Sequence, residues 1–172
     1  MNNYKDFETE RLILKPISEE DAEFVLELFN APNWIKYIGD RNVKTIDDSK
    51  EYIRTKMLPQ QKKLGYSVFT IIKKPDNCKI GTCGLYDREG LDGIDIGFAF
   101  LPEYERKGYG FESANKLKDL AFNEFGISEI NAITRRENIA SKKLLEKLGL
   151  KLVGITKVPN HHEEVLLYKT KK

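Results

Sequence analysis

Apolar and polar residues alternate with a strand-like period in some stretches of the chain and with a helical period in others. The pattern predicts strands over residues 11–17, 67–73, 79–86, 93–101, 127–134, 150–157 and 165–170. Turn residues separate the strands of the middle region, which predicts antiparallel hairpins there. From residue 94 onward, strand and helix alternate, which indicates one parallel crossover. The expected fold class is therefore α/β, more closely an α+β mixed sheet.

Helical spacing predicts helices on both sides of the hairpin region. Two of them start at Ser18 and Thr45, each followed three residues later by an aspartate, as in a capping box. Pro32 is expected to stop the first helix, and Pro59 to kink or end the second. The other two predicted helices occupy residues 108–125 and the stretch that ends at Leu148.

The segment that joins the predicted strand 93–101 to the long helix has the sequence Glu105-Arg106-Lys107-Gly108-Tyr109-Gly110-Phe111-Glu112. A glycine turn at a helix start leaves backbone N–H groups free where the helix dipole favours negative charge, so the turn suits a phosphate. Gly108 and Gly110 let an anion approach the backbone, and Arg106 and Lys107 add positive charge. The chain lacks the Gly-Lys-Ser/Thr of a P-loop, and Ser113 departs from the dinucleotide-binding fingerprint. An ordinary strand-to-helix turn is the alternative.

Short motifs follow one another in a fixed order along nearly the whole chain. They are Thr9-Glu10-Arg11-Leu12-Ile13-Leu14, Ile80-Gly81, Gly84-Leu85, Asp95-Ile96-Gly97-Phe98, Leu101-Pro102-Glu103-Tyr104, Lys107-Gly108-Tyr109-Gly110, Asn138-Ile139-Ala140-Ser141 and Leu145-Glu146-Lys147-Leu148-Gly149. The ordered set resembles the GNAT superfamily of acyl-CoA N-acyltransferases, in particular its RimJ/RimL-like branch of ribosomal-protein alanine N-acetyltransferases. The resemblance implies one domain over residues 1–172, about seven mostly antiparallel strands, about four helices, and fourth and fifth strands that splay apart.

The resemblance also implies acetyl-CoA as co-substrate and no metal. The pantetheine arm is expected to pair with the backbone of the strand that ends near residue 101, and the pyrophosphate to lie on amides of the glycine turn. Asn138 is either a plain helix N-cap or a ligand of the arm. Gly97 is either a β-bulge that widens the gap or a packing glycine. The implied cofactor-binding residues are Phe98, Ala99, Phe100, Leu101, Arg106, Lys107, Gly108, Tyr109, Gly110, Phe111, Asn138 and Ser141.

In this family an amine attacks the acetyl thioester directly, and a backbone N–H near Phe98 or Ala99 is expected to polarise the thioester carbonyl. Asp95 is the leading candidate base, with a solvated strand position as the alternative reading and Asp87 and Glu89 in reserve. An ordinary aspartate, with a pKa of about 3.9, is roughly four units too weak to deprotonate an α-ammonium group. Direct abstraction therefore requires a raised pKa or a water relay.

Several further expectations concern the surroundings of that chemistry. Leu145 stands where many relatives carry a tyrosine acid, so Ser141, an ordered water or no acid at all serves the leaving thiolate. Glu105 replaces the first residue of the family's loop pattern and is expected to face solvent or pair with Arg106 or Lys107.

The predicted acceptor pocket contains Trp34, Tyr37 and Tyr66, for which packing of helix on sheet is the alternative reading. His161 and His162 are assigned to solvent, and Cys83 to the core.

Composition narrows the function classes. Charged residues form 33% of the 172 residues, but the net charge is only +2, which argues against a dedicated nucleic-acid binder. The two cysteines complete neither a disulfide framework nor a zinc site, and neither a membrane span nor a signal peptide is expected. The expectation is a cytoplasmic N-acetyltransferase, monomer or homodimer, that acts on a ribosomal-protein N-terminus or a small amine. A non-catalytic CoA-binding regulator and a nucleotide-phosphate binder are the alternatives.

Overall fold

A computed structural model describes residues 4–159 and 161–172 of the chain. The strands in these residues are β1 (Phe7–Glu8), β2 (Leu12–Pro16), β3 (Val68–Lys73), β4 (Cys78–Asp87), β5 (Ile94–Phe100), β6 (Glu129–Thr134), β7 (Lys151–Thr156) and β8 (Val165–Lys171). The α-helices are α1 (Ala22–Phe29), α2 (Pro32–Tyr37), α3 (Ile46–Tyr52), α4 (Leu58–Leu64), α5 (Tyr109–Asn123) and α6 (Ile139–Lys147). Two parts of the chain lie outside the described residues: residues 1–3, at the end where no signal peptide is expected, and Asn160, between the last two predicted strands.

The strands form one mixed sheet in the order β1-β2-β3-β4-β5-β6-β8-β7. Every neighbouring pair is antiparallel except β5 and β6, which are joined by the crossover through α5. The short strand β1 was not predicted, so the fourth and fifth strands expected from the sequence are β5 and β6.

Both faces of the sheet are covered, which gives three layers. On one face, Leu117 of α5 and Leu145 of α6 join a buried cluster with β-strand residues such as Ile71. On the other face, Val25 of α1 and Ile53 join a second cluster with Val68. The helices α1 to α4, which all lie between β2 and β3 in sequence, contribute to the second cluster. The helices α5 and α6, which follow β5 and β6, contribute to the first.

Two predicted helix boundaries need correction. Pro32 does not only stop α1; it occupies the first turn of α2, where a missing N–H costs nothing. Pro59 lies in the first turn of α4, and the preceding residues Ile53–Met57 form a π-helical turn that carries the chain from α3 into α4. The chain therefore stays helical from α3 to α4, and Pro59 marks the start of α4 and not the end of a helix. The capping box at Thr45 is present, with Asp48 N–H donating to its hydroxyl at 3.0 Å.

The strands β5 and β6 separate soon after they meet. They pair only at Ile94 with Ile130 and at Asp95 with Asn131. Beyond that point β5 stays paired with β4 as far as Phe100, and β6 stays paired with β8 as far as Thr134. Each strand thus hydrogen-bonds the backbone groups of one edge to its antiparallel partner. The backbone groups of its other edge face the cleft between β5 and β6.

No bulge at Gly97 causes this separation. Gly97 pairs regularly with Gly84, and the ring of Tyr86 lies across both glycines. A Cβ at Gly97 would stand 3.0 Å from that ring, so the residue is a packing glycine. The β-bulge reading of Gly97 was therefore wrong, and the packing reading was right.

Close packing of β4 on β5 makes Gly81 the most demanding position in the sheet. An added Cβ would lie 2.5 Å from the Ala99 carbonyl oxygen, a backbone atom that cannot rotate away. We expect Gly81→Ala to lower the free energy of unfolding by about 1 to 3 kcal/mol, as overpacked core substitutions do. Urea denaturation followed by circular dichroism measures this change.

Gly154→Ala is the matched control, because no heavy atom lies within 4 Å of its added Cβ. Its expected change is within about 0.5 kcal/mol. Equal effects of the two substitutions would contradict the packing described for β4 and β5.

Candidate active site

The cleft between β5 and β6 opens into a cavity of about 1220 Å³. Its walls come from both diverging strands, from the turn before α5, from the start of α6, and from α2 and the loop that follows it. The site therefore lies where β5 and β6 diverge, and segments distant in sequence meet there.

The backbone of β5 presents alternate residues to the cleft. Leu101 donates its N–H to the Ile80 carbonyl at 2.9 Å, toward β4. In an antiparallel ladder the next residue faces the opposite way, so Phe98 and Phe100 direct their N–H and C=O groups away from β4. Leu101 and the N–H of Ala99 are thus engaged within the sheet, and this corrects the expectation that they pair with a pantetheine arm.

The turn before α5 holds a run of free amides. Glu105 N–H bonds to the Pro102 carbonyl, and Glu112 N–H bonds to the Gly108 carbonyl at 3.0 Å. For the six amides of residues 106–111, the described part of the chain offers no acceptor. Two left-handed residues, Arg106 at φ 58° and Gly108 at φ 84°, produce this turn. Arg106 and Gly108 both line the cavity.

An ion pair fixes the turn to the sheet. Glu112, in the first turn of α5, accepts from Arg11 Nε at 2.7 Å, from Arg11 N–H at 2.9 Å and from Thr9 Oγ1 at 2.6 Å. Arg11 also donates to the Lys107 carbonyl at 3.1 Å, and its guanidinium lies 4.4 Å from the Tyr109 ring centre. The Thr9-Glu10-Arg11 motif thus holds the amide-bearing turn in place from the connection between β1 and β2.

The start of α6 adds polar groups to the same cavity. Asn138 caps the helix, because its Oδ1 accepts from Ser141 N–H at 3.1 Å. Both residues also line the cavity, so the cap and a ligand role are compatible. Lys143 and Lys147 of α6 line it too, and Lys147 Nζ lies 4.1 Å from the Phe111 ring centre. Sequence reasoning missed these two lysines, although their spacing on one helix face was readable.

At the point where β5 leaves β6, Asp95 forms a buried ion pair with Arg88. Its side chain is 1% exposed, and both its oxygens accept from Arg88 at 3.2 Å. Burial raises the pKa of Asp95 above its ordinary value, although the charge of Arg88 opposes the shift. The reading of Asp95 as a solvated strand position was therefore wrong. The reserve candidates Asp87 and Glu89 are exposed and do not line the cavity.

His161 corrects another expectation. It was assigned to solvent, but it is half-buried and lines the cavity with Arg41, Arg88 and Arg135. Burial, followed by the charges of Arg88, Arg135 and Arg41, lowers the pKa of His161 to about 4. Its Nδ1 is buried and has no partner among the described residues.

The aromatic candidates divide between the two faces of the sheet. Trp34 and Tyr37 line the cavity, and Trp34 stacks on Phe29 with ring centres 4.1 Å apart. Tyr66 does not belong to this set. It is buried on the other face, where its ring stacks on Phe125 at 5.0 Å. Packing of helix against sheet explains Tyr66.

The structure also corrects the expectation for Glu105. Its carboxylate faces neither solvent nor its basic neighbours; both oxygens accept from Asn33 Nδ2 of α2 at 2.9 Å. This contact connects the turn before α5 to the helices on the opposite face of the sheet.

Across residues 4–159 and 161–172, no three metal-ligating side chains cluster. Within the same ranges no helix has the length and apolar character needed to span a membrane.

Comparison with known proteins identifies the arrangement. Residues 11–151 match the profile of the acetyltransferase (GNAT) domain. The chain is 31% identical over 149 residues to the uncharacterized N-acetyltransferase YoaA of Bacillus subtilis (strain 168), covering 86% of this chain and 84% of YoaA. These matches confirm the expected family.

Solved structures with the same fold extend the comparison. A GNAT-family acetyltransferase from Bacillus anthracis superposes with a TM-score of 0.78 at 25% identity, covering 97% of this chain and 98% of that one. RimL, a ribosomal alpha-N-protein acetyltransferase in complex with coenzyme A, superposes with a TM-score of 0.83 at 15% identity, covering 97% and 98%. The expected fold class, with its splayed strand pair, is confirmed.

The Arg11–Glu112 ion pair makes a testable contribution to stability. Burial disfavours the Glu112 carboxylate, but the bonds from Thr9 and Arg11 outweigh it, and the pKa of Glu112 lies below its ordinary value. Such a group stabilises the fold above the unfolded pKa of about 4.3 and loses this contribution as the pH falls through the lower folded value. We expect Glu112→Gln to lower the free energy of unfolding at pH 7 by about 1 to 2 kcal/mol, allowing for the exposed side of Arg11.

Urea denaturation at a series of pH values measures this effect, and the difference from the wild type should narrow below about pH 4. Glu124→Gln is the control and should change stability little, because Glu124 is the C-cap residue of α5 and its side chain makes no hydrogen bond or ion pair among the described residues. A gap between Glu112→Gln and wild type that is constant with pH would contradict the charge-based account.

Proposed function

The chain belongs to the GNAT acetyltransferase family and is an acetyl-CoA-dependent acyltransferase, and we propose that it transfers the acetyl group directly to a primary amine. The observation that carries this proposal is the cleft between β5 and β6, with a run of unbonded amides at its mouth. An extended arm can add to the free edge of β5, as a peptide adds to an open sheet.

The residues of the cleft suit coenzyme A. The amides of residues 106–111 are proposed to bind the pyrophosphate, as helix N-termini bind phosphates elsewhere. Arg106, Lys143 and Lys147 supply positive charge at that end of the cavity. Phe98 and Phe100 supply backbone groups for the pantetheine amides, and Asn138 supplies a side-chain amide from the opposite wall.

Phe98 is the stronger of the two candidates for polarising the thioester carbonyl. Its N–H points away from β4, whereas the N–H of Ala99 points into the β4–β5 ladder. A fixed backbone donor at this position stabilises negative charge that develops on the thioester oxygen. The acetyl donor contributes an activated acyl group and a thiolate that is a fair leaving group.

The proposed reaction forms one bond, breaks one bond and moves two protons. The amine nitrogen forms a bond to the acetyl carbon, the C–S bond breaks, one proton leaves the amine, and one proton reaches the departing sulfur. Asp95 is the proposed acceptor of the amine proton, directly or through a water, because burial raises the pKa of its carboxyl. Ser141 lines the cavity and is the proposed donor to sulfur, since Leu145 has no proton to give.

The acceptor is proposed to be a peptide N-terminus or a small amine. RimL, whose fold this chain shares, is a ribosomal alpha-N-protein acetyltransferase. A free α-amine is partly neutral at pH 7, with a pKa of about 7.7 to 8.0, so it demands less of a weak base than lysine does. Release of free CoA thiol from acetyl-CoA in the presence of an amine panel tests the proposal. Binding of coenzyme A without thiol release from any amine would contradict it.

Arg106 provides a clean test of the proposed phosphate site. Its φ of 58° is a conformation that asparagine tolerates, so Arg106→Asn removes the charge while the turn is kept. We expect about 3- to 10-fold weaker binding of coenzyme A, the effect of losing one charge contact. Calorimetric titration measures it. Arg106→Lys, which keeps the charge, is the matched control, and equal affinities of the two variants would argue against the site.

Asp95 provides the corresponding test of the chemistry. We expect Asp95→Asn to lower kcat by about 100-fold, because a positioned base commonly contributes that much. The affinity for coenzyme A should stay unchanged, and this measurement also shows that the variant, which leaves Arg88 without its anion, has folded.

Asp87→Asn is the control for this substitution, because Asp87 lies outside the cavity and pairs with Lys63. An unchanged kcat in Asp95→Asn, measured by thiol release at saturating acetyl-CoA, would assign Asp95 a structural role only.

A further inference from the structure

Three arginines and a histidine from separate connecting segments converge at one end of the cavity. Arg41 follows α2, Arg88 lies between β4 and β5, Arg135 follows β6, and His161 lies between β7 and β8. All are half-buried and line the same cavity. Because four segments far apart in sequence contribute, the grouping is a product of the fold and not a local run of charge.

Most of this positive charge has no anionic partner among the residues that the structure describes. Arg88 pairs with Asp95, but no ion pair or side-chain hydrogen bond of Arg41 or Arg135 occurs among the described residues. Seven Lys and Arg side chains line the cavity against three carboxylates, although the whole chain carries a net charge of only +2. Half-buried arginines without partners are costly, which is characteristic of a site that receives an anion.

This group is distinct from the proposed phosphate site. Asp95 fixes Arg88 where β5 leaves β6, whereas the free amides follow the other end of β5. Five residue steps separate Asp95 from Phe100, or about 17 Å at about 3.3 Å per residue. The thioester is expected between these two ends, so an anion held beside Arg88 belongs to the acceptor.

We propose that Arg41, Arg88 and Arg135, together with His161, bind a carboxylate of the acceptor, so that the preferred acceptor is an amine that also carries a carboxylate. The inference rests on the proposed acetyl transfer and names its substrate class. Arginine presents a planar pair of donors that matches a carboxylate, and His161 lines the same cavity beside the arginines. The carboxylate comes either from a free amino acid or from an acidic residue next to a peptide N-terminus. Polyamines, which carry only positive charge, are poor acceptors.

Binding of a simple dicarboxylate tests the site without requiring catalysis. Succinate is titrated calorimetrically into the CoA-bound protein, with succinamide as the neutral probe. We expect binding of succinate only, weakened about 10-fold or more in Arg41→Gln and in Arg135→Gln, the effect of losing a charge-assisted hydrogen bond. Arg136→Gln is the matched control, because Arg136 is the exposed neighbour of Arg135 and does not line the cavity.

Two results of this titration would overturn the proposal. One is absence of succinate binding to the wild type. The other is equal affinity in Arg41→Gln, Arg135→Gln and Arg136→Gln. Weaker binding of coenzyme A itself in the two cavity variants would also overturn it, because the arginines would then belong to the cofactor site.

Acetyl transfer to matched acceptors identifies the source of the carboxylate. Alanine is compared with alaninamide, and a peptide beginning Ala-Asp with one beginning Ala-Asn. We expect kcat/KM about 10-fold higher or more for the acid in at least one pair, and loss of this preference in the Arg41→Gln, Arg135→Gln double variant. Equal use of acid and amide in both pairs overturns the proposal. If no amine is acetylated while succinate still binds, the proposed acetyl transfer fails and the anion site stands.

Discussion

The separation of β5 from β6 is the constraint on which the rest of the site depends. Each strand keeps a complete antiparallel ladder on one side, β5 with β4 and β6 with β8, so the sheet loses little when the two part. Buried backbone groups need partners, and those on the inner edges of the cleft find none within the sheet. The proposed pantetheine arm, with its own amides, would supply these partners. The strands β5 and β6 accordingly pair at two residue positions before they part.

Two ion pairs hold the ends of this cleft, and they have different physical characters. The Arg11–Glu112 pair is partly solvated. It positions the amide-bearing turn because Arg11 binds both the Lys107 carbonyl in that turn and Glu112 in the first turn of α5. The Asp95–Arg88 pair is deeply buried, where desolvation costs nearly as much as the attraction returns. A buried pair of that kind contributes little net stability. Its position at the vertex of the cleft suits the proposed role of Asp95 as the acceptor of the amine proton.

Sequence patterns predicted the elements well wherever hydrophobic period and caps agreed. The glycine turn before α5 and the capping box at Thr45 are local signals, and both lie where they were expected. Local signals failed where a residue's environment is set by distant segments. Tyr66 has the composition of a pocket residue but stacks on Phe125 across the opposite face, and Asp95 in an alternating strand is buried by Arg88 from a loop. Arg41, Arg135 and His161 belong to three loops with no sequence signal that they meet.

The arginine group also helps to explain how a weak base such as Asp95 can accept a proton from the acceptor amine. An aspartate needs help to take a proton from an ammonium group, and burial of Asp95 supplies part of it. A positive charge near the bound amine supplies another part, because it disfavours the protonated amine and lowers that group's pKa. Arg88 contacts Asp95 directly. An acceptor whose carboxylate binds the neighbouring arginines would therefore have its amine close to both Arg88 and Asp95. The cations proposed to select an acidic acceptor would thereby also favour the neutral form in which its nitrogen can attack.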